Sequence, residues 1–334
     1  MKQVLVLGGG AAGLAAAIEL SHRGIPTTVV DSAPPPGGQA FQLACKGSPA
    51  CLNCDACRPH DLRREALRDP MIDLLAGSEL GYVAPCRDGF QATVRRPEGC
   101  EDHEFAAVIL AVGAMPFNAA MDVRYRYGEC ADVLTSLDVE RALLETNALA
   151  VPSTGRDPES IAVVQCVGSR DVHRGVPYCS KACCKYASKL GRRLRHLYPE
   201  MELTFFFMDW RPLEASERSV GDWAAGDRMV KTVRSRPSEV VPGDRPLVRY
   251  ATEAEDVAEK AFDIVMLTVG MVPRPDNPRL AEALGISLDD QGFLRSARDD
   301  VLVAGTCAGP KDLKESIEEG IAAAGRAASF LEAK

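Results

Sequence analysis

A glycine-rich turn between the first predicted strand and the first predicted helix most constrains the fold of this chain. Residues 2–7 are predicted to form a short buried strand and residues 11–23 a helix, with Gly8, Gly10 and Gly13 at their junction. Glycines at this spacing let the backbone turn tightly and approach a pyrophosphate, while the helix start offers its amides. The pattern predicts a Rossmann-type domain that binds a dinucleotide; a glycine turn without a ligand is the alternative.

An acidic residue ends the second predicted strand. This strand covers Thr27–Asp31, and Asp31 follows Gly13 by 18 residues. A carboxylate at this distance from the glycine turn is placed to bond a ribose hydroxyl. We therefore include Asp31 and the adjacent Ser32 in the predicted nucleotide site.

The composition excludes several classes of protein. The net charge is −8, from 39 Lys and Arg against 47 Asp and Glu, which disfavours a nucleic-acid binder that relies on phosphate neutralisation. No apolar run approaches the roughly 18 residues of a membrane span. The first apolar run ends at Gly8, too early for the core of a signal peptide. These features predict a cytoplasmic protein with neither nucleic acid nor membrane as a partner.

Three further segments favour FAD as the dinucleotide. Residues 37–39 follow the acidic end of the second strand, and residues 110–113 end a strand predicted over residues 105–112. Residues 301–306 precede a closing helix predicted over residues 312–331. Together they resemble flavoproteins related to thioredoxin reductase, in which the last strand and helix of the flavin domain lie at the C-terminus. That family usually has an aspartate where Thr306 stands here. The implied FAD site comprises Gly8, Gly10, Ala12, Gly13, Asp31, Ser32, Gly38, Gln39, Val112, Gly113, Gly305, Thr306, Lys311, Asp312 and Leu313.

The expected fold class is α/β, with two Rossmann-like dinucleotide-binding domains of the thioredoxin reductase type and a flavin domain split in sequence. We expect the FAD-binding domain at residues 1–125 plus 285–334 and the second domain at residues 151–275. The linkers are expected at residues 126–150 and 271–284, because residues 151–158 and 271–278 are rich in chain-breaking residues. Within the first linker, residues 132–150 have helical composition.

Eight of the twelve cysteines fall into two groups of four. In a chain with no export signal the thiols stay reduced, so clustered cysteines indicate metal or redox chemistry rather than disulfides. The earlier group is Cys45, Cys51, Cys54 and Cys57, and the later group is Cys166, Cys179, Cys183 and Cys184.

The later group stands where a second nucleotide-binding turn would lie. A strand predicted over residues 161–165 leads into a turn whose only glycine is Gly168, and Cys166 lies near the position of the first expected glycine. Side chains in this turn would obstruct a pyrophosphate. We therefore expect this domain not to bind NAD(P)H.

The spacing of the later cysteines favours a cluster over a single metal ion. Cys166 is predicted at the strand end, and a helix predicted over residues 179–197 carries the other three. Adjacent cysteines on a helix diverge by about 100°. This suits a four-iron cluster, whose iron corners are separated, better than one compact ion. We expect a [4Fe–4S] cluster, with zinc and unmetallated thiols as the alternatives.

Five stretches together resemble the A subunit of heterodisulfide reductase. They are QCVGSRD at residues 165–171, PYCS at 177–180, CCKYA at 183–187, LTVGMVP at 267–273 and AGTCAGPKD at 304–312. The resemblance implies FAD and a [4Fe–4S] cluster bound by Cys166, Cys179, Cys183 and Cys184. It also implies a lysine close to the flavin, five residues past the cysteine pair, where Lys189 stands here; an exposed helical lysine is the alternative.

The chain resembles the short form of that family found in heterodisulfide-reductase-like complexes of sulfur oxidisers, because it lacks the repeated cysteine strings of larger members. The resemblance implies an electron-transfer subunit for sulfur-compound oxidation or disulfide metabolism. It implies a homodimer that works with B and C subunits. Two other functions stay open: an NAD(P)H-dependent disulfide oxidoreductase that uses Cys54 and Cys57, and a non-catalytic assembly protein that binds zinc.

The earlier cysteine group allows several interpretations. Cys51, Cys54 and Cys57 are spaced as in ferredoxins, with Cys45 upstream in place of a fourth downstream ligand. The group could bind a second cluster, share the first, form a redox-active pair or consist of plain thiols. We expect one cluster per chain, because the later group already supplies four thiolates.

Overall fold

The computed structural model describes residues 3–47, 50–211 and 220–334. Residue 2, which the sequence places in the first strand, lies outside this part. No helix among the described residues is both long and apolar enough to cross a membrane. The described α-helices are α1 (Ala11–His22), α2 (Arg58–Ala66), α3 (Ser136–Thr146), α4 (Cys183–Leu197), α5 (Val220–Gly226), α6 (Asn277–Leu284) and α7 (Leu313–Glu332).

The β-strands of the described residues are short, and half of them belong to two parallel sheets. In chain order they are β1 (Val4–Leu7), β2 (Thr27–Asp31), β3 (Ile72–Ala76), β4 (Glu79–Cys86), β5 (Gly89–Arg96), β6 (Gly99–Phe105), β7 (Ala107–Leu110), β8 (Met115–Pro116), β9 (Val133–Thr135), β10 (Ser160–Val167), β11 (Glu202–Phe206), β12 (Val230–Val233), β13 (Glu239–Val241), β14 (Leu247–Ala251), β15 (Val257–Ala261), β16 (Ile264–Val269), β17 (Met271–Val272), β18 (Ser287–Leu288), β19 (Leu294–Arg295) and β20 (Val301–Val303).

The chain divides into two compact units. Unit 1 comprises the described residues of 1–42, 55–115 and 272–334, and unit 2 those of 43–54 and 116–271. The two segments expected as linkers carry regular structure. Residues 126–150 contain β9 and α3, and residues 271–284 contain α6.

Unit 1 is built on a five-stranded parallel sheet in the order β20-β7-β1-β2-β3. Helices α1, α2 and α7 cover one face of this sheet, where they share a core of small and aliphatic side chains. The other face packs against α6 and the antiparallel sheet β4-β5-β6. Strands β1 and β7 are fully buried, as expected for the central strands of a parallel sheet covered on both faces.

Unit 2 is also built on a parallel sheet, but other elements cover its faces. Its five-stranded parallel sheet has the order β12-β11-β10-β16-β9, and α3 and α4 pack on one face. On the other face, the ring of Phe206 packs edge-on against those of Tyr250, in β14, and Phe262. Strand β10 is buried along its whole length and lies at the centre of the sheet, so its carboxyl end opens at the middle of the sheet edge.

The helix predicted over residues 132–150 is wrong in its first part and too long. Residues Val133–Thr135 form β9, which pairs with β16. A capping box then starts α3: the Thr135 hydroxyl accepts from the Asp138 amide, and the Asp138 carboxylate accepts from the Thr135 amide. The helix ends at Asn147, whose φ of 56° is left-handed.

Close packing of α1 against α7 depends on Gly320. A Cβ on Gly320 would lie 2.1 Å from the carbonyl oxygen of Ala12, whereas a Cβ on Gly325, in the same helix, meets only the end of the Arg23 side chain at 3.9 Å. We predict that Gly320→Ala destabilises the protein by at least about 1–3 kcal/mol, because the two helices must move apart. Its thermal unfolding temperature should fall by several degrees.

The matched control is Gly325→Ala. It should leave the unfolding temperature unchanged or raise it slightly, because alanine favours a helix over glycine by about 1 kcal/mol. Circular dichroism during heating measures both variants. Equal unfolding temperatures for the two variants would contradict this account of the α1–α7 contact.

Candidate functional site

In the glycine turn of unit 1, packing requires glycine at positions 8 and 13, whereas Gly10 borders open space. Gly8 has a φ of +105°, and a Cβ there would lie 2.4 Å from the Ala111 carbonyl oxygen. A Cβ on Gly13 would lie 1.8 Å from the Gly8 carbonyl oxygen. A Cβ on Gly10 would meet only the Gly38 Cα, at 3.8 Å. The open side at Gly10 is what close approach of a pyrophosphate needs.

Asp31 lies beside this turn, at the end of β2. Its Oδ2 accepts a 2.5 Å hydrogen bond from the Gly9 amide, and its Oδ1 accepts one of 2.7 Å from the Ala33 amide. Ser32 follows it and is exposed. These bonds fix the carboxylate against the glycine turn, the arrangement that a ribose contact requires.

Three segments predicted to contact the flavin meet at Ala114, two residues beyond Val112. Gly113, with a φ of +75°, turns the chain after β7. The Ala114 amide donates a 2.9 Å hydrogen bond to Thr306 Oγ1, and the Ala114 carbonyl accepts a 2.6 Å bond from Gln39 Nε2. The structure therefore brings Gln39, Gly113 and Thr306 together within unit 1, and the Thr306 hydroxyl holds the backbone of this turn.

The start of α7 is held by side chains that the sequence assigns to the cofactor site. Lys311 is buried, and its Nζ donates to the Gly305 carbonyl at 2.9 Å and to Glu319 at 2.8 Å. Asp312 caps the helix by accepting from the Glu315 amide, so Leu313 is the first helical residue. Both side chains shape the turn and leave the helix start, with its partial positive charge, as the feature able to act on a ligand.

Ala12 packs where α1 meets the turn before α7. A Cβ on Gly305 would lie 2.7 Å from the Ala12 Cβ. The two residues therefore act through close packing within unit 1 and leave no room for a larger side chain at position 305.

In unit 2, the central strand β10 is irregular at its carboxyl end. Its pairing with β16 shifts register between Val164 and Val167, and Cys166, inside the shifted segment, has a left-handed φ of 60°. The Cys166 side chain is 5% exposed. The irregularity places a thiol at the sheet edge where α/β proteins bind their ligands.

The other three cysteines of this group are divided between a loop and a helix. The helix predicted from residue 179 begins only at Cys183, so the expectation that the helix carries three thiols is wrong. Lys181, with a φ of 60°, breaks the helical path, and its amide donates to Cys179 Sγ at 3.4 Å. Cys183 and Cys184 open α4 and are buried, and Cys183 Sγ lies 3.9 Å from the Val269 carbonyl oxygen.

Burial and mutual repulsion disfavour the thiolate forms of Cys166, Cys183 and Cys184. Burial raises the pKa of Cys166 to about 11, and the charge of Cys184 adds to the effect. Burial likewise raises the pKa values of Cys183 and Cys184, and Cys183 is raised further by all three other cysteines. Four thiolates gathered in this way need a cationic partner to stay ionised together.

The donor set fits an iron–sulfur cluster. Four cysteines are the usual ligands of a [4Fe–4S] cluster, and each binds a separate iron. Among the described residues, no three His, Cys, Asp or Glu side chains are arranged to hold a single metal ion. A cluster does not need its thiols to converge on one point.

Two serines that sequence reasoning missed join the cysteine segments. The Ser180 amide donates to Ser169 Oγ at 3.0 Å, and the Ser169 hydroxyl donates to the Tyr178 carbonyl at 3.0 Å. The Met271 amide donates to Ser180 Oγ at 2.9 Å. These bonds tie the loop of Cys179 to the turn after β10. Both serines lie in the stretches that carry the family resemblance, which was the available signal.

Phe117 is a further residue that sequence reasoning missed. A Cβ on Gly168 would lie 1.9 Å from the ring of Phe117, so this ring packs against the one glycine of the turn after β10. Gly270 packs against the same turn, because its Cβ would lie 2.6 Å from the Gly168 carbonyl oxygen. The backbone of the turn is thus covered by protein atoms. No local sequence pattern places Phe117 there.

Part of the earlier cysteine group is held on unit 2. Lys46 forms a buried ion pair with Glu140 at 2.6 Å, and the Lys189 Nζ donates to the Asn53 carbonyl at 2.9 Å. Lys189 is 5% exposed, so it is not the exposed helical lysine of the alternative interpretation. The boundary between the units follows residue 54, which assigns Cys45, Cys51 and Cys54 to unit 2.

The remaining cysteine of that group, Cys57, belongs to unit 1 and directly precedes α2. Cys45, Cys51 and Cys57 are exposed, and Cys54 is half-buried. The residues between them have irregular backbone, with left-handed φ values at Asn53 and Asp55. The four cysteines therefore do not lie on one regular element.

Comparisons with known proteins agree with this architecture. Residues 2–327 match the family described as pyridine nucleotide-disulphide oxidoreductase. The chain is similar to a thioredoxin reductase from Lactococcus lactis, with a TM-score of 0.65 and 17% identity over 100% of both chains. The expected α/β fold, with two Rossmann-like domains of the thioredoxin reductase type, is confirmed. It is the fold of FAD- and NAD(P)-binding oxidoreductases.

Comparison with sequence relatives assigns the chain to a narrower group within this family. The chain is 36% identical to an iron-sulfur A subunit of the CoB–CoM heterodisulfide reductase of Methanopyrus kandleri, over 72% of this chain and 39% of that protein. It is 27% identical to the A subunit of the ferredoxin:CoB-CoM heterodisulfide reductase of Methanosarcina mazei, over 99% of this chain and 53% of that protein. The chain thus spans about half or less of the length of these relatives. It belongs to the pyridine nucleotide-disulphide oxidoreductase family and, within it, to the oxidoreductases related to the A subunit of heterodisulfide reductase.

Proposed function

We propose that this chain is an electron-transfer subunit that binds FAD in unit 1 and a [4Fe–4S] cluster in unit 2. The observation that carries the proposal is the placement of four cysteines around the turn after β10, three of them buried, where a nucleotide-binding relative has a glycine turn. When bound, FAD exchanges two electrons and the cluster one at a time, so the pair joins two-electron to one-electron chemistry. The residues proposed for the cluster are Cys166, Cys179, Cys183 and Cys184.

The proposed flavin site uses backbone shape more than charged side chains. Gly10 leaves room for the pyrophosphate, and the start of α1 directs amides towards it. Asp31, held by the Gly9 amide, accepts from a ribose hydroxyl. At the other end of the site, the start of the 20-residue helix α7 stabilises negative charge on the flavin ring. Of these groups, only the start of α7 would favour the reduced, anionic form of the flavin.

Lys189 is proposed as the cation beside the flavin. Its ammonium group is buried and donates to the Asn53 carbonyl, in the segment that carries Cys51 and Cys54. A buried cation lowers the energy of a nearby anion more than an exposed cation does, because less water screens it. The hydrogen bond from Lys189 to Asn53 also holds this segment on α4.

We propose one cluster per chain. Exposure of Cys45 and Cys51 sets them apart from Cys166, Cys183 and Cys184, which are buried. The earlier group would then be a redox-active pair or plain reduced thiols.

The proposed setting is a cytoplasmic complex. The names of the relatives describe iron-sulfur and ferredoxin-dependent heterodisulfide reductase subunits. We propose that this chain forms a homodimer and works with B and C subunits of a heterodisulfide-reductase-like complex, in sulfur-compound oxidation or disulfide metabolism. The site for the sulfur substrate would lie on those partners, and electrons would pass between them and this chain.

Replacing one proposed ligand tests the cluster. We predict that Cys184→Ser, purified without oxygen, loses most of about four irons per chain and keeps its FAD, because serine is a poor ligand for iron in such clusters. Iron and sulfide analysis with visible spectra measure both cofactors. Cys100→Ser, at an exposed cysteine of β6, is the matched control and should retain iron. Equal iron in the two variants would contradict the assignment.

The choice of reductant tests the second unit. We predict that NADH and NADPH do not bleach the flavin, because Phe117 covers the turn that would hold their pyrophosphate, while dithionite does bleach it. Anaerobic absorbance titration measures this. Rapid bleaching by NADPH would favour the disulfide oxidoreductase that uses Cys54 and Cys57. The same titration on Cys54→Ser would then show whether that pair takes the electrons.

A further inference from the structure

We propose that Gln165 and Thr268 donate hydrogen bonds to the sulfur atoms of the cluster in unit 2 and thereby raise its reduction potential. This inference rests on the proposed function, because it requires a cluster on the later cysteine group. It assigns to two uncharged residues an effect on the reduction potential of the cluster.

Both side chains are buried polar groups that lack a partner within the described part of the chain. Gln165 is 3% exposed and Thr268 is fully buried. Neither the Nε2 and Oε1 atoms of Gln165 nor the Oγ1 atom of Thr268 forms a hydrogen bond there. Leaving such a group unsatisfied costs about 1–3 kcal/mol, and proteins rarely do so without a reason. Two unsatisfied groups at one sheet edge point to a bound group that accepts from them.

The two residues lie at the same edge of the sheet of unit 2. Strands β10 and β16 pair side by side, with Val163 opposite Met266, and these two residues face the core formed with α3 and α4. Because side chains alternate along a regular strand, Thr268, two residues beyond Met266, points to that face. Gln165, two residues beyond Val163, lies on the neighbouring strand where β10 becomes irregular.

Cysteines of the later group lie close to both residues. Gln165 directly precedes Cys166, and Thr268 directly precedes Val269, whose carbonyl oxygen is 3.9 Å from Cys183 Sγ. Helix α4, which covers this face, begins at Cys183 and Cys184. The unsatisfied amide and hydroxyl are therefore neighbours, along the chain and across the sheet, of three proposed cluster ligands.

The chemistry of the two groups suits this role. The Nε2 of glutamine and the hydroxyl of threonine are donors, and thiolate and sulfide sulfurs are acceptors. An added electron increases the negative charge on the sulfurs, so the donors stabilise the reduced cluster more than the oxidised one. Hydrogen bonds to the sulfurs are among the factors that set the potential of such clusters. Neither residue carries charge, so neither changes the total charge of the site.

The test removes each donor with little change in volume. Gln165→Met and Thr268→Val should each lower the equilibrium constant for cluster reduction about tenfold, or about 59 mV for one electron. Potentiometric titration of the anaerobic protein, followed by the EPR signal of the reduced cluster, measures this. Thr204→Val is the matched control. Thr204 is equally buried, but it lies on β11 with its hydroxyl bonded to Glu202, so the potential should not change.

Iron analysis distinguishes a failure of the proposed function from a failure of this inference alone. Wild-type protein without iron would overturn the proposed function and this inference with it. Four irons per chain, with the wild-type potential in both Gln165→Met and Thr268→Val, would overturn this inference alone. The expected result is a lower potential in both variants with iron retained, and an unchanged potential in Thr204→Val. A variant that keeps iron and the wild-type potential would overturn the role proposed for its residue. Gln165 lies on β10 and Thr268 on β16, so the two variants test the proposal independently.

Discussion

The irregular carboxyl end of strand β10 is the constraint on which the proposed chemistry of unit 2 depends. A regular parallel strand followed by a glycine turn would present backbone amides to a pyrophosphate. Here the pairing with β16 shifts register, Cys166 takes a left-handed backbone, and Phe117 packs on Gly168. The same edge of the sheet thus presents a thiol in place of an open backbone.

The two units share one architecture but differ at the sheet edge where such folds bind their ligands. Both have a five-stranded parallel sheet, and in both the residues of interest follow the carboxyl ends of the central strands. Unit 1 keeps the features that admit a dinucleotide: an open side at Gly10, a carboxylate at Asp31 and helix starts that favour negative charge. Unit 2 has buried cysteines whose ionisation burial opposes, and a cationic cluster core would reverse that opposition.

The fold could be predicted from the sequence because its signals are local. The spacing of Gly8, Gly10 and Gly13 and the apolar strands around them indicate a Rossmann-type unit without reference to distant residues. The start of α4 could not be predicted, because it depends on the left-handed backbone at Lys181. Phe117 was missed for a different reason. It packs on Gly168 only through the folding of unit 2, and no local spacing relates it to the cysteines.

One measurement tests the central claim most directly: analysis of iron, acid-labile sulfide and FAD in protein purified without oxygen, together with the EPR spectrum after reduction. The account predicts about four irons and four sulfides per FAD and a cluster signal on reduction. FAD without iron or sulfide, or with stoichiometric zinc in their place, would contradict it.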